Sequence, residues 1–374
     1  LKSFLLFILS IGLIAAAILR VRYGGGEPYP DLSTPPLLPE SGLEAVLDYP
    51  EPIGNVAVSG DGRVFFTVHP ESRPRGNKLL EWVNGAAVPY PSGSVQQLLF
   101  DTVLGLVVDR QKRLWVVDHG NHGFAVARLI AFDLDTGEVV HDHQFRPEIA
   151  PAGSFLQDLQ VSADGEFVFI ADTSIWRKRP AIVVYEIASR VARRVLESQE
   201  SVIAENYLIR TATRDMAFLG GLISLKGGID GIALDTNNDW LYYGAINHSS
   251  LYRVPVSVLK DASLHLRQVA PAVERFSAKP MSDGLTTDRD ANVYITDIEH
   301  GAVMMVGQDR ELKTLIRSNR IRWADSLSFG PDGWLYLADS AIQDQVLKSR
   351  DYMKSSGPYY IFRFRPGHEG TPGH

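Results

Sequence analysis

The chain of 374 residues contains no cysteine. That excludes disulfides, thiolate metal sites and a cysteine nucleophile. It also lacks any Lys/Arg-rich run, and its formal net charge is -7. The electrostatic footprint of a nucleic-acid binder is therefore missing. No G-x-S-x-G elbow, Walker loop or dinucleotide glycine fingerprint occurs. Serine-hydrolase, P-loop and Rossmann chemistry thus lack their residues, and no nucleotide or haem cofactor is indicated.

Long apolar runs are scarce except at the start. "LKSFLLFILSIGLIAAAIL" is apolar from Phe4 to Leu19, broken only by Ser10 and Gly12. A helix of that length crosses most of the ~30 Å hydrocarbon core of a bilayer. Ala15 and Ala17 form an A-x-A that permits signal cleavage after Ala17. Against cleavage, the run continues through Ile18 and Leu19 to Arg20 and Arg22. Residues 1–22 therefore read as a signal peptide or a membrane anchor. Both place the globular part outside the cytoplasm: periplasmic, secreted or membrane-anchored. Residues 23–41 are rich in Gly and Pro and read as a linker.

The rest is repetitive. Six copies of one unit begin at Gly54, Leu104, Gln157, Asp230, Asp283 and Asp325, spaced 42 to 73 residues apart. Each has an alternating apolar strand, a turn, and a second strand ending in a small residue or Asp, with further strand patterns behind it. Four antiparallel strands with loops need roughly 40–50 residues, the size of a propeller blade. The sixth copy ends with "YYIFRFRP" and lacks an outer strand; "GLEAVLDY" (Gly42 to Tyr49) supplies one from the other end of the chain. Such a closure removes an open sheet edge. The expected fold is all-β: a single closed six-bladed β-propeller over residues 42–374, preceded by a hydrophobic helix. The longest interval, Gln157 to Asp230, carries an insertion readable as a lid over one mouth or as a mere insertion.

Aligning the copies on Val56, Leu106, Leu159, Ile232, Leu285 and Leu327 defines two columns at the start of each inner strand. The residues two before read Gly54, Leu104, Gln157, Asp230, Asp283 and Asp325; those one before read Asn55, Gly105, Asp158, Gly231, Gly284 and Ser326. Asp158, Asp230, Asp283 and Asp325, with Asn55 and Gln157, are thus predicted around one channel mouth. Hard oxygen donors of this kind suit Ca2+ or another divalent cation, with Asp158, Asp230 and Asp283 as candidate ligands. The alternative is that Asp before Gly only shapes turns. Asp61, Asp164, Asp288, Asp290 and Asp332 read as turn residues, and Asp118, Asp172, Asp297 and Asp339 end second strands and brace loops. Histidines follow several second strands: His69, His119, His122 and His248. Each titrates near neutrality when unperturbed. His119 is the candidate general base, against the alternative of exposed loop histidines.

"GRVFFTVHP", "RLWVVDHG" with "RLIAFDLDTGEVV", "FLQDLQVSADGEFVFIADTS", "DGIALDTNNDWLYYGAINHSSLYRVP", "SDGLTTDRDANVYITDIEHGAV" and "RWADSLSFGPDGWLYLADS" resemble, in order, the blades of the major royal jelly protein/yellow family. The resemblance covers about Gly54 to Pro366. It implies a secreted six-bladed propeller with a small-molecule pocket at one mouth; some members are implicated in pigment chemistry and others bind small amines. The architecture is also similar to the gluconolactonase/regucalcin family, calcium-dependent lactone hydrolases with Glu, Asn and Asp ligands at inner-strand starts. Asp283 matches that Asp, but Gln157 stands for the Asn and Gly54 for the Glu. The lack of cysteine departs from many secreted royal jelly/yellow proteins.

Three functions stay open on the sequence. One is a small-molecule-binding propeller whose mouth pairs Asp carboxylates with a polar or cationic ligand, surrounded by Trp323, Tyr243 or His119. Another is a divalent-metal-dependent lactonase using the same mouth, with His119 as base. The third is an interaction scaffold at the membrane.

Overall fold

The computed structural model describes residues 2–264 and 266–373. Six four-stranded antiparallel sheets are arranged as blades, numbered here in the order of their inner strands. These inner strands are Ile53–Val58, Val103–Val108, Leu156–Val161, Ile229–Leu234, Leu285–Thr287 and Ala324–Phe329. Each blade buries both faces against its neighbours, so its strands need apolar residues on alternate positions of both sides. Apolar clusters consequently form between successive blades. Phe169, Ile182 and Val184 of blade 3, for example, pack on Ile232, Leu241 and Tyr243 of blade 4. The ring closes as expected: Glu44–Tyr49 pairs antiparallel with Tyr359–Phe364, from Glu44 opposite Arg363 to Tyr49 opposite Tyr359.

One irregularity recurs and positions the site. In blades 1, 2, 3, 4 and 6 the register between inner and second strand slips by one residue near the strand start, as between Ile53/Val56 and Ile229/Ile232. Such a bulge leaves amides unpaired and re-aims side chains. The second strand satisfies some of those amides by a hydroxyl. Thr67 Oγ1 accepts from Asn55 N at 3.0 Å. In blade 5 a hydroxyl has the same place: Thr296 Oγ1 accepts from Asp283 N and Gly284 N, both at 3.1 Å.

The two mouths differ. At the turn-side mouth the C-terminal segment crosses between blades: Gly373 N donates to Phe329 O, and Val108 N to Gly373 O. At the other mouth the insertion after blade 3 forms short strand pairs, including Ala217–Phe218 with Ile223–Ser224. Ile209 and Met216 of this insertion pack with Ile246, Met281, Ile298, Trp323 and Ile342 in an apolar layer over that mouth. The segment after the N-terminal helix is also held down. Glu27–Pro28 runs parallel to Tyr207–Leu208, and the amides of Leu37 and Leu38 donate to Thr314 O and Leu315 O.

Candidate functional site

The bulges separate the two columns read from the sequence. Residues one before the aligned apolar position face the next blade. There Ser326 Oγ accepts from Val56 N at 2.8 Å, and Asp158 Oδ2 accepts from Ile232 N at 3.2 Å. Where the column is glycine the blades are closer still: a Cβ on Gly231 would lie 2.3 Å from Asp283 O, and one on Gly284 2.5 Å from Asp325 O. Residues two before the aligned position face the mouth. Gln157, Asp230 and Asp283 line a cavity of about 300 Å3, together with Trp323, His69 and His122. Its upper wall is apolar, built from Phe155, Ile175, Trp176, Ile342 and the insertion's Phe218 and Ile223.

The cavity floor is a network across blades 3 to 6. Trp323 Nε1 donates to Asp283 Oδ2 at 2.6 Å, and Gln157 Nε2 lies 3.5 Å from Asp283 Oδ1. Asp230 and Asp283 are close enough to repel one another when both are charged. Thr173 Oγ1 donates to Asp230 Oδ1 at 3.1 Å. His69 Nε2 stands 3.5 Å from Asp325 Oδ2. Asp230 Oδ2 and both carboxyl oxygens of Asp325 are buried without another hydrogen-bond partner.

Burial dominates the ionisation of these groups. It pushes Asp230 and Asp325 well above the usual carboxylate range, with Asp283 adding repulsion to each. Asp283 rises too through burial, while the bonds from Asp230 and Trp323 oppose the rise. Two carboxyls sharing a site cannot both ionise cheaply, so the Asp230–Asp283 pair holds a proton more readily than either carboxyl would alone. Asp158 is pushed up to about 7, again chiefly by burial. Lys279, fully buried, bonds to Pro280 O and Ser282 Oγ, and burial lowers it to about 7. Nothing in the sequence singles out this lysine, which stands between Ala278 and Pro280.

Of the residues expected at the mouth, Gln157, Asp230, Asp283 and Trp323 come together in the cavity lining. Asp325 adjoins them through His69. Asp158 is turned to the blade 4 backbone. Asn55, in the same column, is buried with its Oδ1 unpartnered and is not among the lining residues. Tyr243 lies in the core between blades 3 and 4, its hydroxyl 2.7 Å from Ser201 Oγ. His119 is buried, not exposed in a loop. Its Nδ1 accepts from His122 N at 2.9 Å, and burial lowers its pKa well below the usual value. His69 has the same arrangement, Nδ1 accepting from Glu71 N, and is lowered to about 4. Both rings are neutral at physiological pH. The second-strand carboxylates brace the loops: Asp172 accepts from Phe155 N and Ser174 N, and Asp339 from Arg322 N and Trp323 N.

The donor set does not fit a divalent ion held as lactonases hold it. Gly54 contributes no carboxylate. Both oxygens of Asp283 face N–H donors, which compete with a cation. Among the described residues, the groups of three acidic or imidazole donors within 4.8 Å of one another are Asp31–Asp297–His300 and Asp288–Asp290–His368, neither of them in this cavity.

A closed six-bladed ring with one mouth plugged and a ligand-sized pocket at the other defines a pocket-bearing six-bladed propeller. The chain belongs to the major royal jelly protein family, whose model matches residues 102–359. No curated protein matches it in sequence. Among solved structures it is similar to a luciferin-regenerating enzyme (12% identity, 88% of this chain and 97% of that one, TM-score 0.59). It is similar also to a gluconolactonase from Xanthomonas campestris (14%, 91% and 98%, TM-score 0.54). A calcium-binding regucalcin from Agrobacterium tumefaciens is a third (14%, 88% and 95%, TM-score 0.54). At these identities the likeness is one of fold.

Proposed function

We propose that the mouth binds a small organic cation, a protonated amine with an apolar body, without metal-dependent catalysis. The observation that carries this reading is an acidic floor beneath an apolar wall. Asp230 and Asp283 lie under Phe155, Trp176 and Phe218, with Asp230 Oδ2 buried and unpartnered. A buried acceptor without a donor is costly, and an ammonium supplies the donor and the counter-charge together. The Trp323 ring beside Asp283 adds an aromatic surface suited to a cation. An ammonium beside Asp230 favours its ionised form against the burial that raises its pKa, so uptake of the amine is expected to be linked to proton release. Membership of a family in which small amines are bound agrees with this chemistry.

Calorimetry on the purified protein tests the reading, with aryl-alkyl amines compared against the alcohols of the same shape. Amines should bind, alcohols should not, and Asp283→Asn should abolish the preference. Equal binding of both series, or an unchanged preference in Asp283→Asn, would sink it.

A further inference from the structure

The N-terminal helix Lys2–Tyr23 does not stand apart from the pocket. Its Leu6–Tyr23 stretch is long and apolar enough to cross a bilayer, and none of it is buried inside the protein. Its last turn is bonded to the loops around the open mouth. Arg20 donates to Gly221 O, Arg22 Nη2 to Arg177 O at 3.3 Å, and the Tyr23 hydroxyl to Trp176 O at 2.9 Å. Tyr23 also lines the cavity. The residue that ends the apolar helix is therefore a residue of the pocket rim.

The rim has the composition of a surface made for lipid. Leu219 and Leu347, both lining the cavity, are 65% and 72% exposed, and Trp176 is 45% exposed. Both leucines are held in the left-handed backbone region, at φ 51° and 60°. A bulky residue pays steric strain there, and an exposed one gains nothing from water in return. Two such residues on one rim indicate a surface whose apolar side chains are covered in use. Tyr23, Trp176 and Lys178 line the same cavity, and Arg20 and Arg22 bond to its loops, the aromatic and basic types that concentrate where a bilayer meets water.

We infer that the pocket rim rests on the bilayer in which the N-terminal helix sits, with Leu219 and Leu347 dipping into it. The occupant of this surface is lipid, because the helix bonded to the rim leads directly into lipid. This goes beyond the ligand reading and does not depend on it.

The absence of cysteine makes single-site labelling clean. The full chain carrying Leu219→Cys, Leu347→Cys or Val191→Cys is labelled with bimane and placed in phosphatidylcholine/phosphatidylglycerol vesicles containing doxyl-labelled lipid. Val191 is the control. It is 60% exposed, and its strand register through Glu186 to Phe167 puts it at the opposite, turn-side end of blade 3. Quenching at positions 219 and 347 should exceed that at 191 severalfold. Equal quenching at all three positions, or a chain that does not associate with the vesicles, overturns the inference. Amine calorimetry in detergent is measured without vesicles, so failure of the ligand reading leaves this result standing, and the reverse.

Discussion

The indole N–H of Trp323 donates to Asp283 Oδ2 at 2.6 Å, tying the approach to blade 6 to the first residue of the blade 5 unit. The bond is buried at both ends. It opposes the rise that burial imposes on the Asp283 carboxyl, and it fixes the orientation of the Trp323 ring in the cavity lining.

Trp323→Phe keeps the aromatic body and deletes the donor. A buried carboxylate that loses its partner costs about 1–3 kcal/mol. Urea unfolding should show a loss of that size, whereas the double variant with Asp283→Asn should recover part of it.

Asp230 and Asp283 should separate in ligand binding. Losing a charge-assisted hydrogen bond is worth about 1.5–3 kcal/mol, which converts to roughly tenfold to a hundredfold in affinity. Asp283→Asn is expected to weaken amine binding by that factor. In wild-type protein, calorimetry in buffers of different ionisation enthalpy should report proton release on binding, and Asp230→Asn should eliminate it.

Asp158 gives stability a pH dependence. Its folded pKa of about 7 lies above the ordinary carboxylate value, so between about 4 and 7 the folded state binds more protons than the unfolded state. Stability from this group is therefore present at acid pH and lost as pH rises through 7. Asp158→Asn keeps an acceptor for Ile232 N and removes the titration. A series of urea midpoints from pH 4 to 8 should fall less steeply in the variant; an unchanged slope would contradict the burial argument.

Gly284→Ala should be costly because of space, not backbone strain, since a Cβ would meet Asp325 O at 2.5 Å. Overpacking of this kind costs about 1–3 kcal/mol. Gly76→Ala is the control: nothing lies within 4 Å of its Cβ, and it should change stability by less than about 0.5 kcal/mol. Thermal denaturation of the two variants compares them directly.

Chelator should leave thermal stability and amine binding unchanged. A cation bound to the folded state at a hundred times its Kd would stabilise by about 2.7 kcal/mol. A rise in Tm of several degrees on adding calcium to chelated protein would show that the floor holds a metal after all.

Much of the architecture is legible along the chain. The six copies, the closing strand read at Gly42 to Tyr49 and the two candidate columns at the strand starts follow from period-2 alternation and repeat spacing, which are local properties of the chain. The finer assignment within those columns is not local. Asp158 and Asp283 read alike, both carboxylates at an inner-strand start, yet Asp283 lines the cavity while Asp158, beside the blade 3 bulge, is turned to the backbone of blade 4. Tyr243 stands opposite Ile232 in the register, so the pleat sends it to the core between blades.

The sequence by itself determined the fold, the absence of thiol chemistry and the four mouth-end Asp, because alternation, repeats and composition are written along the chain. Only the tertiary structure decided which carboxyls repel one another, that burial leaves His69 and His119 neutral, and that Lys279 is buried within electrostatic reach of Asp283. It alone brought Tyr23 to the pocket rim, 196 residues from Leu219 in the chain but beside the same cavity. Those facts depend on distances between blades and on the exclusion of water, and neither exists until the ring has closed.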